Sequence, residues 1–188
     1  ENGRSHLELT PEEEAEKAAR RGEDPEAGLS FSYQASMDLS VRWAGDRSAT
    51  PAHVEIPAYA KVDGVTYQVT AIEPSAFEGA VFLASVTIPE GVTSIGESAF
   101  AGCTNLKSVS LPTTLKTIDY AAFKGCAFES VDIPESVRII GGEAFAECVS
   151  LQSANVSRGT YVSQSAFSGA PSSSMQMDAD TSPDVSQP

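Results

Sequence analysis

Hydrophobic positions recur with a nearly constant period through the second half of the chain. Five Ala-Phe pairs mark the period, and their phenylalanines are separated by 23, 23, 22 and 22 residues: Phe77, Phe100, Phe123, Phe145 and Phe167. A period in this range is typical of a solenoid, because one repeat cannot bury its own apolar side and must stack on its neighbours. The pattern therefore predicts about five stacked coils within residues 69–170, with the phenylalanines in the interior.

Four of the coils are followed by a short alternating segment that predicts a β-strand. These segments are residues 85–88, 108–111, 130–133 and 153–156. Alternation points the second and fourth residues of each segment inward and the first and third outward. In three of the four, a proline follows and ends the strand, because it has no N–H to donate to the ladder. Stacked in parallel, the segments predict one narrow β-sheet.

The residues before the repeats predict β-hairpins. Residues 31–33 and 39–43 alternate with period 2, and Asp63-Gly64 separates two further alternating runs at a tight turn. The chain is thus predicted to be an α+β repeat solenoid, short and right-handed. Residues 29–68 are predicted to form a β-hairpin cap with an entry strand, and residues 69–170 the repeats.

Both ends are predicted to be flexible. Residues 1–28 form an acidic leader in which Thr10-Pro11-Glu12-Glu13 has the residues of a helix start. Only three alanines could be buried by such a helix, which favours a solvated segment over a partner-binding helix. Residues 171–188 are rich in Ser, Asp and Pro and predict a disordered tail or a linker.

Charge narrows the classes of partner. The chain of 188 residues has a net charge of −14, which disfavours nucleic acid and anionic membranes because both would be repelled. No apolar run approaches the ~18 residues of a membrane span, so no membrane insertion is expected. The sequence leaves the oligomeric state open.

Candidate catalytic and metal-binding residues are few. Cys103, Cys126 and Cys148 occupy equivalent positions that hold alanine in flanking coils, which predicts buried thiols rather than ligands. His6 and His53 are the two histidines, and neither is matched with a nucleophile or a metal-ligand cluster. The glycines before the small position predict turns with positive φ: Gly79, Gly102, Gly125 and Gly169. We therefore expect no enzyme, no cofactor and no metal.

The outward positions of the predicted strands form two small polar columns. Such columns could bind an extended partner through many weak hydrogen bonds, and they are the predicted ligand-binding residues: Ser85, Thr87, Ser108, Ser110, Ser130, Asp132, Ser153 and Asn155. A solvated face selected for β propensity is the alternative. The absence of Trp, Tyr and Arg from the columns favours that alternative.

The repeat resembles the BspA-type leucine-rich repeats of bacterial surface proteins. The resemblance rests on the run of Ile, Ala-Phe, Gly-Cys, Leu, Val and Ile-Pro, best seen in residues 95–112 and 118–134. It implies a secreted or cell-surface protein and a non-catalytic adhesion or recognition module that binds an extracellular protein or glycan. The alternative function is a structural spacer or accessory domain of a larger secreted protein.

Overall fold

A computed structural model describes residues 23–24, 28–33, 38–46, 50–62 and 64–171. The N-terminal strands are β1 (Glu23–Asp24), β2 (Leu29–Tyr33), β3 (Leu39–Trp43), β4 (His53–Glu55), β5 (Tyr59–Val62) and β6 (Val65–Ile72). The coils then add β7 (Ser85–Thr87), β8 (Ser94–Ile95), β9 (Ser108–Ser110), β10 (Thr117–Ile118), β11 (Ser130–Asp132), β12 (Ile139–Ile140), β13 (Ser153–Asn155) and β14 (Tyr161–Val162). Five phenylalanine layers thus mark about four complete turns of a β-solenoid.

The predicted α+β class is wrong, because the described residues contain strands and turns but no helix. Each Ala-Phe pair lies in a turn, and in four coils the residue before the pair has a left-handed backbone: Ser75, Ser98, Ala121 and Glu143, with φ between 53° and 55°. A left-handed residue interrupts any right-handed helix. The coil corners are therefore successive turns.

Both predicted hairpins form, but they are not a separate cap. Strands β2 and β3 pair antiparallel, as do β5 and β6. Strand β6 then continues beyond its hairpin and pairs in parallel with β3 and with β8. The hairpins are consequently part of the sheet that runs along the solenoid.

Two ladders of parallel strands follow the solenoid, where one narrow sheet was predicted. The first ladder contains the predicted strands, and it is split into β4–β7–β9 and β11–β13. The second belongs to a nine-stranded sheet with the order β1-β2-β3-β6-β8-β10-β12-β14, to which β5 adds through β6. The split in the first ladder coincides with the first shortened coil, where one residue is lost between Cys126 and Val131.

The phenylalanines form the continuous interior stack that the repeat predicts. Ring centroids from Phe77 to Phe167 are 5.1, 5.2, 5.3 and 5.3 Å apart, with interplanar angles of 14° or less. Trp43 lies at the N-terminal end of this stack, with its ring centroid 6.4 Å from that of Phe77. Phe128 fills a position held by leucine in other coils and meets Phe123 edge-on at 5.6 Å. Offset stacking and edge contacts are the favoured aromatic geometries, so the stack stabilises the coil spacing.

The predictions for the chain ends fall largely outside the described residues. This applies to the helix start at Thr10 and to the tail beyond residue 171. Within the leader, β1 pairs antiparallel with β2 at Glu23↔Ser30 and Asp24↔Leu29.

Candidate functional site

The eight predicted ligand-binding residues lie on one side of the first ladder, which we call the serine face. Parallel pairing places Ser85 beside Ser108 and Ser130 beside Ser153. The same registers align the third-position residues Thr87, Ser110, Asp132 and Asn155. Seven of the eight side chains are exposed and Ser85 is partly exposed. The strand parity predicted from the sequence is therefore confirmed, while the assignment of these residues to ligand binding stays a prediction.

Two residues of the serine face were missed by sequence reasoning. Strand β4 pairs with β7 so that His53 lies beside Ser85 and Glu55 beside Thr87. The Nδ1 atom of His53 is 2.6 Å from the Oγ atom of Ser85. A usable signal was present, because residues 53–57 repeat the alternating strand and its proline.

A break between β9 and β11 divides the serine face into two halves. Ser108 and Ser110 have register partners in β7 but none in β11. Beside the break, Val109 and Leu111 are only partly buried, whereas Val86 and Ile88 are buried. The backbone pairing beneath the two polar columns is therefore not continuous.

A groove of about 470 Å³ opens at the end of the second half. Its lining consists of Ile133, Glu135, Asn155, Val156, Ser157 and Arg158. Asn155 belongs to both the groove and the serine face. Arg158 supplies a base and Glu135 an acid, so the groove offers both signs of charge together with the amide of Asn155 and the hydroxyl of Ser157. Of the polar residues that line the groove, sequence reasoning predicted Asn155 as ligand-binding but identified neither Glu135 nor Arg158.

The turns after these strands are tied between coils by polar side chains. The carboxylate of Glu90 accepts hydrogen bonds from the backbone N–H and the hydroxyl of Thr113, at 2.9 and 3.0 Å. These bonds, the backbone bond above all, lower the pKa of Glu90. The border of the serine face at Glu90 therefore carries a carboxylate held in place by the next coil.

The three cysteines are buried thiols, as predicted. Each Sγ donates to the carbonyl oxygen of a phenylalanine in the preceding coil: Cys103 to Phe77, Cys126 to Phe100 and Cys148 to Phe123, at 3.1, 3.3 and 3.2 Å. Burial is the main cause that raises the pKa of Cys126 well above its usual value and that of Cys148 to about 11. A buried, protonated thiol is a poor nucleophile and a poor metal ligand.

A charged cluster lies at the corner of the third and fourth coils. Lys124 Nζ is 2.8 Å from Glu143 Oε2 and 3.3 Å from Glu147 Oε1. Hydrogen bonds from Lys124 and Tyr120 lower the pKa of Glu143, and the bond to Glu143 raises the pKa of Tyr120. The cluster links neighbouring coils and contains no nucleophile poised for catalysis.

Two kinds of feature are absent from the described part of the chain. Those residues contain no group of three or more His, Cys, Asp or Glu side chains placed to hold a metal ion. Nor do residues 23–24, 28–33, 38–46, 50–62 and 64–171 include a helix with the length and apolar character of a membrane span.

Stacked coils with parallel strand ladders and repeated phenylalanines define the class of leucine-rich repeat solenoids. Residues 70–182 match the family model described as "BspA type Leucine rich repeat region", in six copies. The chain belongs to this family. Such repeats are generally non-catalytic and suggest a protein-interaction module.

Solved structures agree with this assignment. A leucine-rich repeat protein from Bacteroides capillosus is 30% identical, with a TM-score of 0.62 over 70% of this chain and 95% of that one. One from Bacteroides ovatus is 26% identical, with a TM-score of 0.54, and the match covers 76% of this chain but 43% of that longer protein. The T. pallidum protein TpLRR, 23% identical with a TM-score of 0.55 over 81% and 85% of the two chains, supports the fold alone. The sequence matches no curated protein.

Proposed function

We propose that the chain is a non-catalytic recognition and adhesion module that binds an extracellular protein or glycan through the serine face. The observation that carries the proposal is the register of β7 with β9 and of β11 with β13, which aligns exposed small polar side chains. Small side chains leave the strand surface accessible to an extended partner. Their hydroxyls and amides can then donate and accept several hydrogen bonds to it.

The groove beside Asn155 can hold one end of a partner that is bound on the serine face. Polar groups that converge in a concavity fix the orientation of a ligand, and here they include the amide of Asn155 and the charges of Glu135 and Arg158. A partner that lies along β11 and β13 would place one terminal group in the groove. Membership of a family of bacterial surface proteins supports a secreted or cell-surface location as part of the same proposal.

The experiment is a binding array of extracellular-matrix proteins and glycans, probed with the wild-type chain and with a variant that carries Ser110→Tyr and Asp132→Lys. We expect the variant to lose the wild-type ligand while its melting temperature is unchanged, since both positions are exposed. A matched control carries Ser150→Tyr and Glu78→Lys, two exposed positions in turns, and should bind normally. Equal binding by the variant and the wild type would remove the serine face from the proposal.

The second candidate function is a structural spacer or accessory domain. The break between β9 and β11 favours it, because a surface selected for an extended partner is expected to be continuous. A spacer binds nothing on the array, and its serine-face variants match the wild type in every assay.

A further inference from the structure

The second ladder has an outward column of its own, which sequence reasoning did not identify. Parallel pairing aligns Ala71, Ser94, Thr117, Ile139 and Tyr161 on successive strands. Their neighbours Ile72, Ile95, Ile118 and Ile140 are buried, so the column points away from the core. Unlike the serine face, this column ends in two large side chains.

Those two side chains are exposed and adjacent. Ile139 is 46% exposed and Tyr161 is 66% exposed, and they are direct register partners in β12 and β14. Neighbouring strands lie about 4.8 Å apart, so the two side chains form one continuous apolar surface. Large apolar side chains grouped on a surface mark sites of interaction.

Two bases border this apolar pair. Lys116 and Arg138 immediately precede Thr117 and Ile139 in the strands' register, and the backbone N–H of Arg138 donates to the carbonyl of Lys116 at 2.8 Å. Both side chains are exposed. The Nη1 atom of Arg138 donates a hydrogen bond to the backbone carbonyl oxygen of Glu135 at 2.8 Å, so Nε and Nη2 are the Arg138 donors that can face a partner. Residues 69–170 contain five bases, and two of them are neighbours here, in a chain of net charge −14. Tyrosine and arginine are also the residue types that dominate binding energy at interfaces.

We propose that Lys116, Arg138, Ile139 and Tyr161, which we call the tyrosine patch, bind an acidic segment of a partner protein. An apolar side chain of the segment packs against Ile139 and Tyr161, and its carboxylates pair with Arg138 and Lys116. Arginine binds carboxylates in a bidentate geometry. The tyrosine patch lies on a different ladder from the serine face, so this inference does not depend on the proposed function.

The net negative charge of the chain favours a short acidic protein segment over nucleic acid or an anionic bilayer as the partner of the tyrosine patch. Nucleic acid and anionic bilayers present dense negative charge that the surrounding acids would repel. A short acidic segment carries few charges, and at physiological ionic strength screening acts within about 8 Å. Its contact with the patch is therefore decided mainly by Lys116 and Arg138.

The probe is a short fluorescent peptide in which Glu and Phe alternate, measured by anisotropy at physiological salt against the full chain. Its counterpart replaces every Glu by Gln. We expect the Glu peptide to bind at least about tenfold more tightly than the Gln peptide, a difference worth about one charge-assisted contact. Equal binding of the two peptides, or no binding of either, overturns the proposal.

Variants then locate the site. Lys116→Gln with Arg138→Gln should weaken binding of the Glu peptide at least about tenfold, and Tyr161→Ser should weaken both peptides. The charge control is Lys61→Gln with Lys107→Gln, and the apolar control is Phe82→Ser; all three positions are exposed elsewhere on the chain. Losses as large in the controls overturn the proposal, because they would show non-specific attraction.

Two further measurements distinguish the tyrosine patch from two alternatives, which are peptide binding at the serine face and self-association of the chain. The serine-face variant with Ser110→Tyr and Asp132→Lys should bind the peptide no more weakly than the wild type. In sedimentation, the wild type should not self-associate, and the Tyr161→Ser variant should behave in the same way. Dimerisation through Tyr161 would assign the patch to a second copy of the chain and overturn the proposal.

Discussion

The Sγ atom of Cys126 donates a hydrogen bond to the carbonyl oxygen of Phe100, one coil earlier, at 3.3 Å. The same contact joins Cys103 to Phe77 and Cys148 to Phe123. These thiols therefore do more than fill a small apolar space, because each one adds a second hydrogen bond to a carbonyl oxygen that already accepts one from a backbone N–H. Alanine at the same position fills the space without the bond, as Ala80 does in the first coil.

The buried thiols predict a loss of stability at alkaline pH. The pKa of Cys148 is raised from 9.0 to about 11 in the fold, so the folded state keeps a proton that the unfolded state releases. The stabilisation is complete below pH 9 and declines as the pH rises toward 11. Urea unfolding as a function of pH should show this decline, and Cys148→Ala should reduce it. An unchanged pH profile in the variant would contradict the assignment.

Thiol labelling gives an independent test of the same burial. In the native protein, maleimide should react slowly with all three cysteines, because reaction needs an exposed thiolate. Labelling should become rapid in denaturant. Rapid native labelling of Cys126 would be incompatible with its position in the stack.

The phenylalanine stack predicts that a Phe→Ala substitution lowers the free energy of unfolding more in the middle of the stack than at its end. Phe100 is fully buried between Phe77 and Phe123, and Phe100→Ala should lower the free energy of unfolding by about 3–5 kcal/mol. Phe167 is 9% exposed and stacks on Phe145 at the end of the described series. Phe167→Ala should therefore cost less, as measured by denaturant titration. An equal cost at both positions would contradict a continuous stack.

A left-handed residue predicts a stabilising substitution. Glu147 has φ of 58° at the position where Gly102, Gly125 and Gly169 have φ of 71° to 77°. Replacing it by glycine removes a strain of about 1–2 kcal/mol but adds unfolded-state freedom worth about 0.5–1 kcal/mol. The contact with Lys124 at 3.3 Å is exposed and contributes little.

We therefore expect Glu147→Gly to raise the free energy of unfolding by about 0.5–1 kcal/mol. Gly125→Ala is the reciprocal control and should lower it, since alanine must then adopt the left-handed backbone. A destabilised Glu147→Gly variant would show that the Lys124 contact outweighs the backbone strain.

Close packing between coils predicts that replacing Gly96 by alanine costs more stability than replacing Gly142. A Cβ atom on Gly96 would lie 2.7 Å from the backbone nitrogen of Pro74 and 2.9 Å from the backbone oxygen of Ile72. On Gly142 it would meet side-chain atoms of Ser165 and Tyr120 at 3.2 and 3.3 Å. Gly96→Ala should cost about 1–3 kcal/mol because backbone must move, and Gly142→Ala should cost less because side chains can rotate. Thermal unfolding of the two variants compares them directly.

Much of the fold could be predicted from short-range pattern. The spacing of Phe100 and Phe123 predicts stacked coils, and the alternation in residues 108–111 predicts which side chains face outward. Both are properties of a repeat that must bury its apolar positions against the next copy. The turn glycines follow the same logic, since Gly79 and Gly102 precede the small position in their coils and have positive φ.

The pairing of strands from different coils could not be predicted from short-range pattern. The serine face gained His53 from a strand that lies 32 residues before Ser85. The alignment of Ile139 with Tyr161 likewise depends on the register of β12 with β14. This register could not be predicted, because two-residue strands have almost no alternating pattern of their own. The break after β9 coincides with a coil shortened by one residue, and local alternation gives no sign that pairing is lost there.

Local alternation and repeated burial are enough to predict the period, the interior positions and the direction of each strand's side chains. How strands of different coils pair, where the first ladder breaks, and which exposed residues become neighbours on the second ladder depend on tertiary contacts. Those features depend on hydrogen bonds between residues far apart in the chain, whose registers are set by the packing of whole coils on one another.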